Sequence, residues 1–175
     1  MKPIQVGLLG IGTVGGGVFT VLDRNQEEIT RRAGRGIQIR TVADLDTKRA
    51  EELVKGRAKV VNDAKLVVND PEIDVVVELI GGYGIAKELV LTAINNGKHV
   101  VTANKALLAV HGNEIFAAAQ AKGVTVNFEA AVAGGIPIIK ALCAKPGASK
   151  NRSASQRVEL LPSCDRAYCE GSTPV

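Results

Sequence analysis

The chain has 175 residues, 46% of them hydrophobic but only 3% aromatic with no tryptophan, so it is long enough for one domain whose core must be filled by Val, Ile, Leu and Ala. The net charge of +4 is a small surplus of 22 basic over 18 acidic residues spread along the sequence, without the basic cluster or interleaved aromatics of a nucleic-acid surface. No apolar run reaches transmembrane length and no signal-peptide pattern opens the chain, so the expectation is a cytoplasmic protein with neither nucleic acid nor membrane as partner.

The apolar run Ile4 to Leu9 leads into Gly10-Ile11-Gly12-Thr13-Val14-Gly15, after which Val14, Val18, Val21, Leu22 and Ile29 recur at helical spacing. That order is strand, glycine turn, helix. Glycines suit such a turn because a side chain there would block close approach between backbone and pyrophosphate, and the helix N-terminus then offers unpaired N–H groups to the phosphates. The motif alone is weak among 19 glycines, and the flanking strand and helix supply the context.

Arg24 to Gly36 is polar and reads as a helix end and loop, followed by a second strand from Ile37 that ends at Ala43-Asp44-Leu45-Asp46. An acid there suits the adenosine ribose. Asp44 stands 34 positions after Gly10, against about 20 in the simple fingerprint, so ribose ligand and loop residue are both open readings. Arg40, Lys48 and Arg49 would attract a 2′-phosphate, leaving NAD and NADP both open. Thr47 to Val54 reads as a short helix, Lys59 to Val61 as a third strand and Ala64 to Asp70 as a brief crossover.

Asp74 to Ile80 is almost continuously apolar, as a central parallel strand covered on both faces should be. It ends at Gly81-Gly82, which either lets the backbone lie near the nicotinamide half of a cofactor or simply turns into the helix Ile85 to Asn96. His99 to Thr102 is the next strand. Asn104 suits the cap of a helix Lys105 to Ala121, and Lys105 in its first turn faces the positive end of the helix dipole, which disfavours an ammonium and suits a general acid/base; a solvated surface lysine is the alternative. His99 and His111 read as structural. Val124 to Phe128 forms a sixth strand, and Glu129 to Ile139 a closely packed turn whose carbonyls, with Glu129, could face a hard cation, although packing explains its small residues as well. Pro137 suits the first turn of a further helix. The fold class expected is α/β, a doubly wound, mostly parallel sheet of Rossmann type.

GLLGIGTVGGGV, VVVELIGG, VTANKALLA and FEAAVAGGIPII, in that order and spacing, closely resemble the cofactor-binding part of the homoserine dehydrogenase family over roughly residues 1–142. The resemblance implies NAD- or NADP-dependent interconversion of L-homoserine and L-aspartate 4-semialdehyde in threonine and methionine biosynthesis, by a parent enzyme that is a homo-oligomer. It implies cofactor contacts at Gly10, Gly12, Thr13, Val14 and Gly15, a role for Lys105 at the reactive centre, and a sodium site at Glu129, Val132, Gly134 and Ile136.

Residues 143–175 depart from the family pattern and hold all three cysteines, five serines where residues 1–142 have none, and three of the six prolines. The expectation is a dinucleotide-binding domain over 1–142, a disordered non-family tail over 143–175 with Cys143, Cys164 and Cys169 as free thiols, and no substrate or dimerisation domain. A frame change or truncation near Leu142 would account for the break. Hydride transfer needs both reactants at contact distance, so the alternative to an active dehydrogenase is a cofactor-binding module without turnover.

Overall fold

The structure is a computed structural model and describes residues 2–133. Six strands, β1 (Ile4–Leu9), β2 (Ile37–Ala43), β3 (Lys59–Val61), β4 (Val75–Glu78), β5 (His99–Thr102) and β6 (Val126–Asn127), form one parallel sheet in the order β3-β2-β1-β4-β5-β6. The order reverses between β1 and β4, which makes the crevice at their carboxyl ends the place where this architecture receives a ligand. The doubly wound expectation holds.

The helices cover both faces. Val6, Leu8, Ile39 and Val42 pack with Phe19 of α1 (Thr13–Arg24) and with Ala50 and Val54 of α3 (Thr47–Val54). On the other face Leu9, Val76 and Val100 pack with α4 (Ala64–Val68), α5 (Gly84–Asn95) and α6 (Lys105–Lys122). β1 sits between the two layers, which is why it reads as a nearly unbroken apolar run. The three phenylalanines are buried, with the Phe116 and Phe128 rings 5.4 Å apart in the larger cluster, whereas Tyr83 is exposed. A bulge in β2 leaves Arg40 without a partner on β1, between the pairs Val6–Ile39 and Gly7–Thr41.

Several elements differ from the sequence reading. Arg24 to Gly36 is not a helix end and loop: Asn25 breaks the helix and α2 (Gln26–Ala33) follows, buries no residue, and stops at Gly34 with φ 71°. Glu27 and Glu28 in its first turn and Arg31 and Arg32 in its last oppose the helix dipole, with Glu28 paired to both arginines. In α1 the fully buried positions are Gly15 and Phe19, while Val14 and Val21 are 60% and 49% exposed, so the buried stripe lies one residue out of phase with the valines. β4 ends at Glu78, short of Ile80, because the Glu78 carboxylate takes the N–H groups of Ile80 and Gly81 and turns the chain. β6 is confined to Val126–Asn127: the Val124 N–H still bonds to the Ala119 carbonyl at the end of α6, and Phe128 turns into the core. The stretch expected as a turn from Glu129 begins as a short helix, α7 (Glu129–Ala133). Gly134, Ile136, Pro137 and the whole of 143–175 with its cysteines lie outside the described residues.

Candidate dinucleotide site

The three motif glycines meet three different demands. Gly10 has φ +90° and an added Cβ would stand 3.0 Å from the Leu79 carbonyl oxygen, so the turn needs glycine for conformation and for its closeness to the β4 end. A Cβ on Gly15 would lie 2.0 Å from the Gly10 carbonyl oxygen, which fixes how closely α1 packs on the turn. At Gly12 an added Cβ meets nothing within 4 Å. No protein contact requires glycine there, which leaves open space over the backbone at the start of α1. Gly12 is also the N-cap, offers no side-chain cap, and is followed by a first turn without acidic residues, so no side chain of the helix itself offsets its positive end. Thr13 and Val14 are exposed beside it.

Asp44 is bound to this turn. Its Oδ2 accepts the Ile11 N–H at 2.7 Å and its Oδ1 accepts the Asp46 N–H at 3.0 Å, fixing the carboxylate between the glycine turn and the start of α3. Gly10, Gly12 and Asp44 share a cleft of about 470 Å³ whose apolar walls include Leu45, Ile80 and Ile85. Leu45 is 94% exposed, an apolar side chain at the cleft rather than in the core. Lys65 lines the same cleft and is paired to Glu88 at 2.9 Å; that hydrogen bond and the charge of Glu88 raise its pKa. Arg40 is not brought to the cleft: the bulge sends it to Asp70, 3.4 Å away, beside a separate polar hollow with Arg57 and Lys59.

The second half of the site lies across the β4 and β5 ends. Gly81 and Gly82 both have positive φ, 81° and 68°, in open surroundings, so conformation rather than packing calls for glycine. Asn104 caps α6, its Oδ1 accepting the Leu107 N–H at 3.1 Å, while its amide nitrogen donates to the Gly82 carbonyl. Lys105 follows, exposed at the head of α6, and its amine makes no ion pair or hydrogen bond among the described residues.

His99 Nδ1 accepts the Thr125 N–H at 3.1 Å and joins β5 to the β6 entry, and His111 lies beside the Tyr83 ring and Glu114. Glu129 opens α7 and Val132 is exposed on it, but Gly134 and Ile136 are outside the described residues, and no cluster of three or more His, Cys, Asp or Glu able to hold a metal ion occurs among the described ones. No helix among them is long and apolar enough to cross a membrane.

The family described as "Homoserine dehydrogenase, NAD binding domain" matches residues 10–129, well over half of the chain and the whole of the cleft just described. The chain belongs to the homoserine dehydrogenase family. It is 63% identical over 153 residues to a homoserine dehydrogenase of Pseudomonas aeruginosa, covering 87% of this chain and 34% of that protein. A homoserine dehydrogenase of Neisseria gonorrhoeae is 57% identical over 155 residues, covering 89% and 35%. Among solved structures, a homoserine dehydrogenase from Thiobacillus denitrificans superposes with a TM-score of 0.79 at 67% identity, covering 82% of this chain and 33% of that one. The chain thus spans about a third of the length of the curated relatives it matches.

Sequence reasoning missed Glu78 and Thr102. In this homoserine dehydrogenase domain Glu78 is 0% exposed; beyond the two backbone N–H groups it takes at the end of β4, its Oε2 accepts the Thr102 hydroxyl at 2.6 Å. The available signal was a charged residue closing an apolar strand of VVV, since a glutamate is almost never fully buried without partners.

Proposed function

We propose that this chain is the dinucleotide-binding portion of a homoserine dehydrogenase, holding NAD or NADP across the carboxyl ends of β1, β2, β4 and β5. The observation that carries the reading is the open Gly12 cradle facing the Asp44 carboxylate in one cleft, an anion site next to a hydroxyl acceptor, as a pyrophosphate and its ribose require. Gly10, Gly12, Thr13, Val14 and Gly15 would receive the pyrophosphate, Asp44 the adenosine ribose, and Gly81, Gly82 and Asn104 the nicotinamide half. Arg40 has no part in this arrangement. The cofactor supplies the hydride chemistry, and the family reaction is the interconversion of L-homoserine and L-aspartate 4-semialdehyde. The exposed amine of Lys105, without an ion pair or hydrogen bond among the described residues, is the group to move a proton at the substrate oxygen.

The share of the relatives' length favours a second reading for the chain by itself, cofactor binding without turnover, with the residues that hold homoserine in the two thirds of those relatives it does not span. The test is binding of NAD and NADP by the purified chain, followed by homoserine-dependent reduction of each, with Lys105→Ala alongside to exclude a contaminating enzyme. Turnover that disappears in the variant supports the full dehydrogenase; binding without turnover supports the second reading; a folded chain that binds neither nucleotide overturns both.

A further inference from the structure

We infer that Glu78 is a positioning residue that fastens the Gly81–Gly82 turn and the head of α6 into one unit, so that the nicotinamide end of the cleft is set before a ligand arrives. The inference rests on the cofactor reading for what the unit holds, and on geometry alone for its existence. Glu78 is the most buried acid among the described residues, on the same sheet face as Val76 and Val100, and its hydrogen-bond partners among them are all donors: the Ile80 N–H at 2.9 Å, the Gly81 N–H at 3.3 Å and the Thr102 hydroxyl at 2.6 Å. Thr102 is the donor, because a carboxylate has no hydrogen to give, and the same hydroxyl oxygen accepts the Asn104 N–H at 3.0 Å. Asn104 then caps α6 through Leu107 and returns to the Gly82 carbonyl. The relay closes on itself: β4 end, Glu78, Thr102, Asn104 and back to the turn that Glu78 began.

A ring of this kind does what two separate turns cannot. Gly81 and Gly82 have positive φ and a Cβ on either would meet nothing within 4 Å, so hydrogen bonds rather than side-chain packing hold the turn, and Lys105 stands next to Asn104 at the head of α6. Glu78 acts through backbone and through Thr102, not by touching the ligand. An acceptor-only carboxylate suits three donors; in Glu78→Gln the amide either turns its NH₂ away from the backbone N–H groups and leaves the Thr102 hydroxyl hydrogen without an acceptor, or turns the other way and faces N–H with NH₂.

The experiment is amide hydrogen exchange by NMR on the ligand-free whole chain, in wild type, Glu78→Gln, Thr102→Val and Thr102→Ser, followed by titration with NAD and with ADP. Glu78→Gln is expected to speed exchange about ten-fold at Ile80 and Gly81 and also at Asn104 and Leu107 across the relay, while the Ile11 amide held by Asp44 stays within about two-fold. Thr102→Val should speed Asn104 and Leu107, and Thr102→Ser should restore both. NAD affinity should fall about ten-fold in Glu78→Gln with ADP affinity unchanged, because ADP lacks the nicotinamide half. Unchanged exchange at Asn104 and Leu107, or equal losses for NAD and ADP, would overturn the inference. If Glu78→Gln does not fold, the Thr102 pair decides it, and failure of serine to restore what valine loses counts against it. A wild-type chain that binds neither nucleotide overturns the cofactor reading, and the exchange data still decide the relay.

Discussion

Gly12 and Gly15 are three positions apart and respond to opposite pressures. Gly15→Ala drives a methyl to 2.0 Å from the Gly10 carbonyl, so it is expected to destabilise the fold by about 2 kcal/mol or more, read from urea unfolding. Gly12→Ala meets no atom within 4 Å and should cost no more than about 1 kcal/mol, yet lower NAD affinity at least about ten-fold by placing a methyl in the proposed pyrophosphate site. Asp44 carries the neighbouring prediction. Asp44→Ala removes the acceptor of the Ile11 N–H and the charge at the ribose position, so NAD binding should weaken while the ratio of NAD to NADP affinity shifts towards NADP. Lys98 gives a pH signature. It is 4% exposed, with Nζ donating to the Asp70 and Ile73 carbonyls, and burial lowers its pKa against the opposing pull of Asp70 and Asp74. The unfolded chain therefore keeps the proton to higher pH than the folded one. Stability should gain from this group as pH rises from the lowered folded value towards the ordinary 10.5, and a Lys98→Met variant compared with wild type should lack that rise.

At the scale of elements, α2 and α5 mark two extremes. α5 buries Ala86, Leu89, Val90, Ala93 and Ile94, whereas α2 buries nothing and rests on dipole-matched charges and the Gly34 cap. Amides of α2 should exchange at least about a hundred-fold faster than those of α5, and the difference should widen in high salt as the Glu28 pairs are screened. The same contrast explains what could be read in advance. β1 is legible as an apolar run because both its faces are covered, and α6 is legible through its Asn104 cap. α2 is not, because a helix without a buried face shows only its charges. The valines of α1 misled for a related reason: the position that packs closest to the glycine turn is Gly15, and a glycine adds nothing to an apolar stripe.

For the whole molecule, a ligand that binds only the folded state stabilises it by mass action, and NAD at a hundred times its Kd should add about 2.7 kcal/mol. Thermal unfolding with increasing NAD should show that gain in the wild type and its loss in Gly12→Ala at the same concentrations. The gain depends on both halves of the cleft lying on one sheet edge. Leu9 and Ala43 pair at the carboxyl ends of β1 and β2 although the strands are separated by two helices, and Gly82 meets Asn104 just beyond β4 and β5.

The sequence by itself determined the strand–glycine turn–helix opening, the central apolar strands, the Asn104 cap, and through the joint pattern of its motifs the family to which the chain belongs. These are local or periodic properties, carried by neighbours in the chain. Only the tertiary structure decided that Asp44 reaches back to Ile11, that the β2 bulge takes Arg40 away to Asp70, and that Glu78 is the buried hub joining β4 to β5. Each depends on which strand lies beside which. A carboxylate's partners across a sheet leave no spacing in the sequence from which to read them.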